Sequence, residues 1–274
     1  MPRVLCLHGS GSNATIFSSQ TFAVRRLLPK DYKFIYVDGP FRCDPDPAIT
    51  FPGPYYCWYN TPTSVKFAAA HRAVARIIEE KGPFDFVMGF SQGGAVAGSM
   101  IVHHALANLT APPLFQGAIF LCSTIPFSID IDHGLDVRKY FGIPADQPVR
   151  TGCPTEMPEH LVTDPYFLMQ QGSIAKTVDG YSTEEAERIK ASDVFFQIIH
   201  RSTDGVCLNI PTAHCYGKRD RWIGHSKDLV ALCREDSRSV FEHGGGHEVP
   251  KNEAESIART IQRMFEHVRR LEDA

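Results

Sequence analysis

The stretch Gly89-Phe90-Ser91-Gln92-Gly93-Gly94 lies between an apolar run, residues 85–90, and a helical segment of small residues that starts near Gln92. A serine held at a sharp strand-to-helix turn needs neighbours without a Cβ atom two positions before and two positions after it, because a side chain there would clash with adjacent backbone. Gly89 and Gly93 meet that requirement, so the stretch predicts a nucleophile elbow. Such a pattern arises by chance in about one chain in ten of this length, so the rest of the sequence has to support it.

Short runs rich in β-branched or aromatic residues alternate with longer helical patterns along the chain. This alternation predicts an α/β fold, with a mostly parallel, doubly wound sheet and helices on both faces. The predicted strands are residues 4–7, 33–37, 84–90, 117–122, 212–216 and 239–243. The predicted helices are residues 17–28, 65–80, 92–107, 227–234 and 253–271. With the elbow between the third strand and the third helix, the expected architecture is the α/β-hydrolase fold.

Residues 124–210 interrupt this alternation. They are rich in Pro, Asp and Gly, and only short helices are predicted there, over 183–189 and 194–200. A long segment between neighbouring strands usually forms a lid or a substrate-binding insertion, although a surface excursion without a role is the alternative. The 274 residues are enough for one large domain. We therefore predict a single α/β-hydrolase domain over 1–274, with 124–210 as a lid-like insertion before the acid-bearing strand.

Composition excludes several classes of partner. The chain is 43% hydrophobic and 22% charged with a formal net charge of -3, which gives no electrostatic reason to expect nucleic acid or an anionic membrane. No window reaches the ~20 apolar residues of a membrane span. The first apolar run, residues 4–7, is too short for a secretion signal, so we expect a cytoplasmic protein with its 8 cysteines reduced. Cys6, Cys122 and Cys215 fall in strand-like runs and are predicted core residues.

A nucleophilic serine requires a general base, since its hydroxyl is barely ionised at neutral pH. His247 follows the last predicted strand in a glycine-rich loop, and Asp220 follows the strand before it, which gives the order serine, acid, histidine. Asp220 would hold the tautomer of His247 and stabilise the imidazolium. Asp204 and Asp228 are weaker candidates for the acid, because they lie in the insertion and within a predicted helix.

The oxyanion of an acyl-transfer intermediate needs two backbone N–H donors. Gln92 follows the nucleophile and lies at a helix N-terminus, whose dipole favours negative charge. The second donor should come from the loop after the first strand, where Ser10 is the best candidate and Gly9 the alternative.

The same loop also supports a rival hypothesis. Gly9-Ser10-Gly11-Ser12-Asn13-Ala14 fits the pattern G-x-G-x-x-A between a strand and a helix, and Asp38 ends the next strand, as in a nucleotide-binding oxidoreductase. That hypothesis leaves the arrangement of Ser91, Asp220 and His247 unexplained, whereas a hydrolase accounts for both glycine-rich loops.

A metal site is a further rival. His243 and His247 are four residues apart, a spacing that places two ligands on one face of a helix, but the three glycines between them argue against a helix. His103 and His104 are adjacent on a predicted helix and point to different sides, so we interpret them as structural. We predict neither a metal nor an organic cofactor.

Several blocks together resemble the fungal serine hydrolase family within the α/β-hydrolase superfamily, which includes the lovastatin-cluster thioesterase and other polyketide-cluster hydrolases. The resemblance covers most of the chain except the insertion. It rests on Leu7-His8-Gly9, Val37-Asp38-Gly39-Pro40, the aromatic block at 52–59, the elbow, Tyr216-Gly217-Lys218-Arg219-Asp220 and the block at 245–250. The family carries its triad on the residues that match Ser91, Asp220 and His247.

The resemblance implies a hydrolase that releases or trims a polyketide-type acyl chain, with an acyl carrier protein or polyketide synthase as a partner. Tyr55, Tyr56 and Trp58 form an aromatic cluster that is expected either to line an acyl or aryl pocket or to cap the core. Between ester and thioester the sequence does not decide. A general carboxylesterase for short to medium chains and a non-catalytic ligand-binding protein on the same scaffold are the remaining alternatives.

Overall fold

A sheet of six parallel strands forms the centre of the structure. The computed structural model describes residues 1–138, 152–156, 158–162 and 197–273. In chain order, the strands are β1 (Arg3–Leu7), β2 (Lys33–Val37), β3 (Phe41–Arg42), β4 (Tyr56–Cys57), β5 (Phe86–Phe90), β6 (Gly117–Leu121), β7 (Leu135–Asp136), β8 (Gln197–Ile198), β9 (Thr212–Gly217) and β10 (Arg238–His243). The main sheet has the order β10-β9-β6-β5-β1-β2 with every pair parallel, while β3 and β4, and β7 and β8, form two small antiparallel pairs.

Helices connect these strands. In chain order they are α1 (Ala14–Gln20), α2 (Phe22–Arg25), α3 (Ser64–Lys81), α4 (Gln92–Ala107), α5 (Glu159–Val162), α6 (Arg201–Asp204), α7 (Ile223–Leu232) and α8 (Ala254–Glu272). None of the described helices combines the length and the apolar character that crossing a membrane requires.

Both faces of the main sheet are buried. Along β1, Leu5 and Leu7 enter a core cluster with residues of α3 and α4, whereas Val4 and Cys6 enter a second cluster with residues of α1 and α8. This follows from the two-residue period of a strand, and a strand buried on both faces is apolar throughout. The predicted α/β-hydrolase architecture is confirmed, and so is the burial of the three predicted core cysteines, Cys6, Cys122 and Cys215.

The helix predicted over 17–28 is two helices. Asn13 begins α1 earlier than predicted, because its side chain accepts the N–H of Ile16 at 2.8 Å. Thr21 then ends α1 and begins α2, and its hydroxyl donates to the Phe17 carbonyl at 2.9 Å. A threonine hydroxyl that bonds back to the preceding turn competes with a straight helix.

The described ends of the 124–210 segment pack onto the main core. Phe127, Leu135, Leu161 and Ile198 are buried in the same cluster as residues of α3 and α4. The helix predicted over 194–200 is wrong for residues 197–198, which form β8 and pair with β7. Pairing buries Ile198 completely, and this long-range contact outweighs local helix preference. The helix predicted over 183–189 lies outside the described residues.

Candidate active site

Ser91 occupies the predicted turn between β5 and α4. Its backbone has φ 51° and ψ −118°, a conformation that non-glycine residues rarely adopt and that nucleophile elbows require. A Cβ atom on Gly89 would collide with the backbone of Gly94, and one on Gly93 would collide with the carbonyl of Leu7. The glycines therefore allow the close packing that holds Ser91 at the carboxyl end of the sheet.

Asp220 and His247 form a hydrogen-bonded pair. The Nδ1–H of His247 donates to Asp220 Oδ2 at 2.8 Å, and the backbone N–H of Trp222 donates to Asp220 Oδ1 at 2.9 Å. The Asp220 side chain is fully buried, and that of His247 is 18% exposed. Burial opposes ionisation of Asp220, but the hydrogen bond and charge of His247 and the Trp222 N–H outweigh it, so the pKa of the carboxyl lies below its usual value. The pair can therefore orient His247 and stabilise its protonated form.

The pair is assembled by two loops that leave adjacent strands. Gly217 ends β9 opposite His243 at the end of β10. A Cβ atom on Gly217 would collide with the carbonyls of Gly245 and Gly246, so the second loop can lie against the first only because Gly217 has no side chain. Arg219 donates its backbone N–H to the Gly245 carbonyl at 3.0 Å, which joins the loops directly.

Two aromatic rings fix the imidazole of His247. Trp222 lies edge-on with its ring centroid at 4.3 Å, and Phe90 lies at 5.0 Å with an angle of 46°. Phe90 directly precedes Ser91, so His247 lies beside the elbow. Ser91 and His247 are both described by the structure, yet no hydrogen bond joins Ser91 Oγ to His247. Such contacts are often long without substrate and tighten when it binds.

A pocket of about 440 Å³ opens beside Ser91. Ser10, Gln92, Tyr59 and Trp222 are among its lining residues. Across the described parts of the chain, the backbone N–H groups of Ser10 and Gln92 have no hydrogen-bond acceptor. Both predicted oxyanion donors thus share one pocket with the predicted nucleophile.

The loop after β1, which carries the predicted oxyanion donor Ser10, is held by His8. Gly39 donates its N–H to His8 Nε2 at 2.9 Å, so the ring proton is on Nδ1 and is donated to the Gly9 carbonyl at 2.6 Å. Burial lowers the pKa of His8, which keeps the ring neutral and this tautomer in place. The sequence contains the block Leu7-His8-Gly9 but does not reveal this contact, because the partner Gly39 lies in another loop.

The side chain of Gln92 was also missed. Its Oε1 accepts the N–H of Trp58 at 2.7 Å, and its Nε2 donates to the Tyr59 carbonyl at 2.6 Å. Gln92 is buried at 9% exposure, so these bonds are largely shielded from water. One residue thus presents its backbone amide to the pocket and ties the pocket wall to the elbow with its side chain.

None of the three predicted substrate-binding aromatics is among the described residues that line this pocket. Trp58 is fully buried, and its indole N–H donates to the His8 carbonyl at 2.8 Å, so it supports the loop after β1 from the core. The lining residues of the pocket do not include Tyr55, Tyr56 or Trp58, and the neighbouring Tyr59 takes that place. The interpretation of this cluster as core packing is therefore the better one for Trp58.

Cys122 lies behind the acid. Its backbone has φ 44°, and its thiol donates to the Glu248 carbonyl at 3.3 Å. The sulfur and the nearest ligand atoms of Asp220 and His247 lie within 4.8 Å of one another. Burial and the Asp220 charge raise the pKa of the Cys122 thiol, so it stays neutral.

The residues that suggested nucleotide binding or metal binding make other contacts. Asp38 accepts the N–H of Ala14 at 2.8 Å and so supports the start of α1. His243 ends a strand and accepts the N–H of Gly245 at 3.2 Å, so it does not share a helical face with His247. Among the weaker candidates for the acid, Asp204 ends α6, and Asp228 on α7 contacts His160.

Comparisons with known proteins show the family of this chain. The model of the serine hydrolase family FSH1 matches residues 1–258. Esterase FPY3 of Fusarium mangiferae is 28% identical over 270 residues, which covers 96% of each chain, and esterase alnB of Emericella nidulans is 26% identical over 266 residues, 92% of each. Among solved structures, the carboxylesterase of Mesorhizobium loti aligns with a TM-score of 0.48 and 12% identity over 95% of this chain and 88% of that chain. The family match spans nearly the whole chain, which therefore belongs to the FSH1 family of serine hydrolases.

Proposed function

We propose that this serine hydrolase cleaves an acyl ester or thioester through Ser91, His247 and Asp220, and that it releases or trims a polyketide-type acyl chain in secondary metabolism. The observation that carries the proposal is the 2.8 Å bond between His247 and the buried Asp220 beside the elbow that presents Ser91. A serine at such a turn, with an oriented histidine next to it, is suited to acyl transfer.

In the first half of the reaction, His247 Nε2 takes the proton of Ser91 as Oγ attacks the acyl carbonyl. Asp220 holds Nδ1–H of the imidazole and stabilises the resulting imidazolium. The N–H groups of Gln92 and Ser10 bind the oxyanion of the tetrahedral intermediate, and each donor is typically worth about 3 kcal/mol of barrier. His247 then protonates the leaving alcohol or thiol, which departs and leaves Ser91 acylated.

In the second half, water replaces the leaving group. His247 removes a proton from the water, whose oxygen attacks the acyl carbon of the ester on Ser91. The same two N–H groups bind the second oxyanion. Collapse of this intermediate returns the proton from His247 to Ser91 Oγ and releases the carboxylic acid, so the enzyme is regenerated without a metal or an organic cofactor.

The choice of acyl group rests on resemblance. The sequence blocks around the triad are similar to those of polyketide-cluster hydrolases, and both relatives described above are fungal proteins called esterases. A carrier-bound thioester, with an acyl carrier protein as partner, is one form of substrate that fits this proposal. The name shared by the relatives equally favours a second candidate, a general carboxylesterase for short to medium acyl chains.

Active-site labelling tests the nucleophile. A fluorophosphonate probe should label the wild-type protein and fail to label Ser91→Ala. Ser10→Ala is the matched control, because it removes a pocket hydroxyl and keeps the backbone N–H that we assign to the oxyanion. Full hydrolytic activity in Ser91→Ala would refute the proposal, as would loss of labelling in Ser10→Ala with labelling retained in Ser91→Ala.

A substrate panel separates the two candidates. Acyl p-nitrophenyl esters and acyl thioesters of graded length, free and on a carrier protein, should give the highest kcat/KM for long or aromatic acyl groups if the polyketide proposal holds. A maximum at short or medium aliphatic esters would favour the general carboxylesterase.

A further inference from the structure

Thr124 contributes a buried hydroxyl to the wall of the catalytic pocket. The residue lies three positions after the end of β6 and lines the same pocket as Ser91 and Gln92. It is 3% exposed, and its Oγ1 has no hydrogen-bond partner in the described part of the chain. Buried hydroxyls are nearly always paired in folded proteins, so an unpaired one in a pocket wall calls for an explanation.

The backbone around Thr124 is fixed on both sides. Its own N–H donates to the Ser91 carbonyl at 3.4 Å, and the N–H of the following residue donates to Nδ1 of His225 on α7, also at 3.4 Å. The carbonyl of the preceding residue accepts the hydroxyl of Ser226, again on α7, at 3.0 Å. Thr124 is thus tied to the elbow and to α7. Its side chain therefore has a defined position relative to the nucleophile, which a residue that recognises substrate requires.

Rotation about one bond turns this hydroxyl toward a ligand. The oxygen and the methyl group of threonine are attached to the same Cβ atom, so a change of χ1 exchanges their positions. The oxygen makes no bond that holds it in place, so the rotation breaks no hydrogen bond. A hydroxyl both donates and accepts hydrogen bonds. A polar group that enters the pocket can therefore pair with Thr124.

Other polar side chains of the pocket differ from Thr124 in their exposure. Ser10, Asp44 and Arg221 also line the pocket, and all three are exposed. Exposed groups are hydrated before a ligand binds, so each bond to a ligand replaces a bond to water and the net gain is small. The buried Thr124 hydroxyl has no such bond to lose. A substrate oxygen that pairs with it satisfies a buried polar group, so this contact discriminates strongly between two acyl groups.

The contact with Ser91 limits where on the substrate this oxygen lies. Because Thr124 bonds the main chain of Ser91, its side chain is near the first atoms of an acyl group carried by Ser91 Oγ, rather than the far end of the chain. Acyl chains of the polyketide type carry oxygen on alternate carbons, and the first such carbon beyond the carbonyl is the third. A hydroxy or oxo group on that carbon accepts a hydrogen bond from threonine.

We infer that Thr124 is a specificity-determining residue that binds an oxygen on the third carbon of the acyl chain, so that 3-hydroxyacyl and 3-oxoacyl groups are preferred. This inference rests on the proposed acyl transfer at Ser91 and names its acyl class. The hydroxyl takes no part in making or breaking covalent bonds. Unsubstituted acyl groups are therefore still hydrolysed, but more slowly.

Two substrates that differ by one hydroxyl test this contact. A saturated acyl chain and its 3-hydroxy analogue of equal length are compared by kcat/KM, first as N-acetylcysteamine thioesters and then as p-nitrophenyl esters. The wild type should prefer the 3-hydroxy substrate by at least ~10-fold. Thr124→Val keeps the branched shape without the hydroxyl, so it should reduce the preference to less than about twofold by slowing only the 3-hydroxy substrate. Thr124→Ser retains the hydroxyl and should retain the preference.

Thermal stability gives a second readout. Because the Thr124 hydroxyl has no partner in the described protein, Thr124→Val should leave the Tm unchanged or raise it. Asn60→Ala is the matched control for the kinetics. It removes an exposed polar side chain from the same pocket and should leave the ratio of the two kcat/KM values unchanged.

Three outcomes would overturn the inference. They are equal kcat/KM values for the two substrates in the wild type, a preference that persists in Thr124→Val, and a lower Tm in that variant, which would reveal a bond of the hydroxyl within the protein. Each leaves the role of Ser91 intact as long as Ser91→Ala abolishes hydrolysis of both substrates. Hydrolysis by Ser91→Ala would overturn the proposed function and this inference together.

Discussion

Two carboxylates eight positions apart in the sequence, Asp220 and Asp228, each contact histidine but are built differently. Asp220 binds one imidazole with Oδ2 and the backbone N–H of Trp222 with Oδ1. Asp228 directs its oxygens at two imidazoles, those of His160 and His200. A carboxylate held by a backbone donor can aim a single histidine, whereas one shared by two histidines joins two separate segments of the chain to its own helix.

The two carboxylates also lie in different parts of the fold. Asp220 lies in a loop at the end of the sheet strand β9, next to the elbow, and its side chain is fully buried. Asp228 lies within α7 and faces the insertion. We therefore expect substitution of Asp220 to affect the reaction and substitution of Asp228 to affect stability.

The largest effect is expected from His247→Ala. Loss of the general base should lower kcat by about 10⁴–10⁶-fold, because Ser91 then has no group to take its proton. Stopped assays with a p-nitrophenyl ester and a Tm measurement would check it. A Tm near that of the wild type is required for the interpretation, and a loss of less than tenfold would show that another base serves Ser91.

Asp220→Asn compared with Asp228→Asn tests the contrast directly. The first should lower kcat by about 10³–10⁴-fold, because an amide disfavours the productive tautomer of His247. The second should leave kcat within about threefold and reduce the free energy of unfolding by about 1–3 kcal/mol, since a largely buried hydrogen-bonded group is altered. Steady-state kinetics and urea unfolding measure both. Equal losses of kcat would remove the distinction between the two groups.

Gln92→Ala tests whether a buried neutral side chain contributes to stability and activity as the charged pairs do. It removes the hydrogen bonds of the Gln92 side chain to the Trp58 N–H and the Tyr59 carbonyl, which should reduce the free energy of unfolding by about 1–3 kcal/mol. Release of the pocket wall should also lower kcat/KM by about tenfold. Gln116→Ala is the control, because that side chain bonds Glu272 at the surface. Similar values for both variants would show that the Gln92 bonds contribute little.

The smallest effect is expected in how the free energy of unfolding changes at low pH. The pKa of the Asp220 carboxyl is lower in the folded protein than in the unfolded chain, where it is about 3.9. Its ionised form therefore contributes stability above about pH 4, and this contribution is lost as the pH falls through the folded-state pKa. The difference in unfolding free energy between wild type and Asp220→Asn should be greatest near neutral pH and shrink in acid. A constant difference down to about pH 3 would contradict the assigned pKa direction.

The sheet and the acid–base pair could be predicted because local patterns determine them. The strands of the main sheet are apolar on both faces, and Asp220 and His247 follow two of these strands in the chain order of a hydrolase. Ser91 and the predicted oxyanion donors Gln92 and Ser10 likewise follow predicted strands of this sheet. Their roles as catalytic groups remain predictions until the variants are measured.

Residues that depend on distant partners could not be predicted. Trp58 is in the core because it bonds His8 and Gln92, which belong to other segments. Ile198 is in a strand because β7 pairs with it. The His160, His200 and Asp228 group has no sequence signature, because its members are spread along the chain and only packing of the insertion on α7 joins them.

The pairing of Gly217 with His243 has one more consequence. Asp220 is three residues beyond the first, and His247 is four residues beyond the second. Asp220 and His247 therefore follow two residues that are paired across adjacent strands. The number of residues in each loop determines how far apart the two side chains lie. A lengthening of either loop would have to be matched in the other, so the two segments are expected to change length together in related chains.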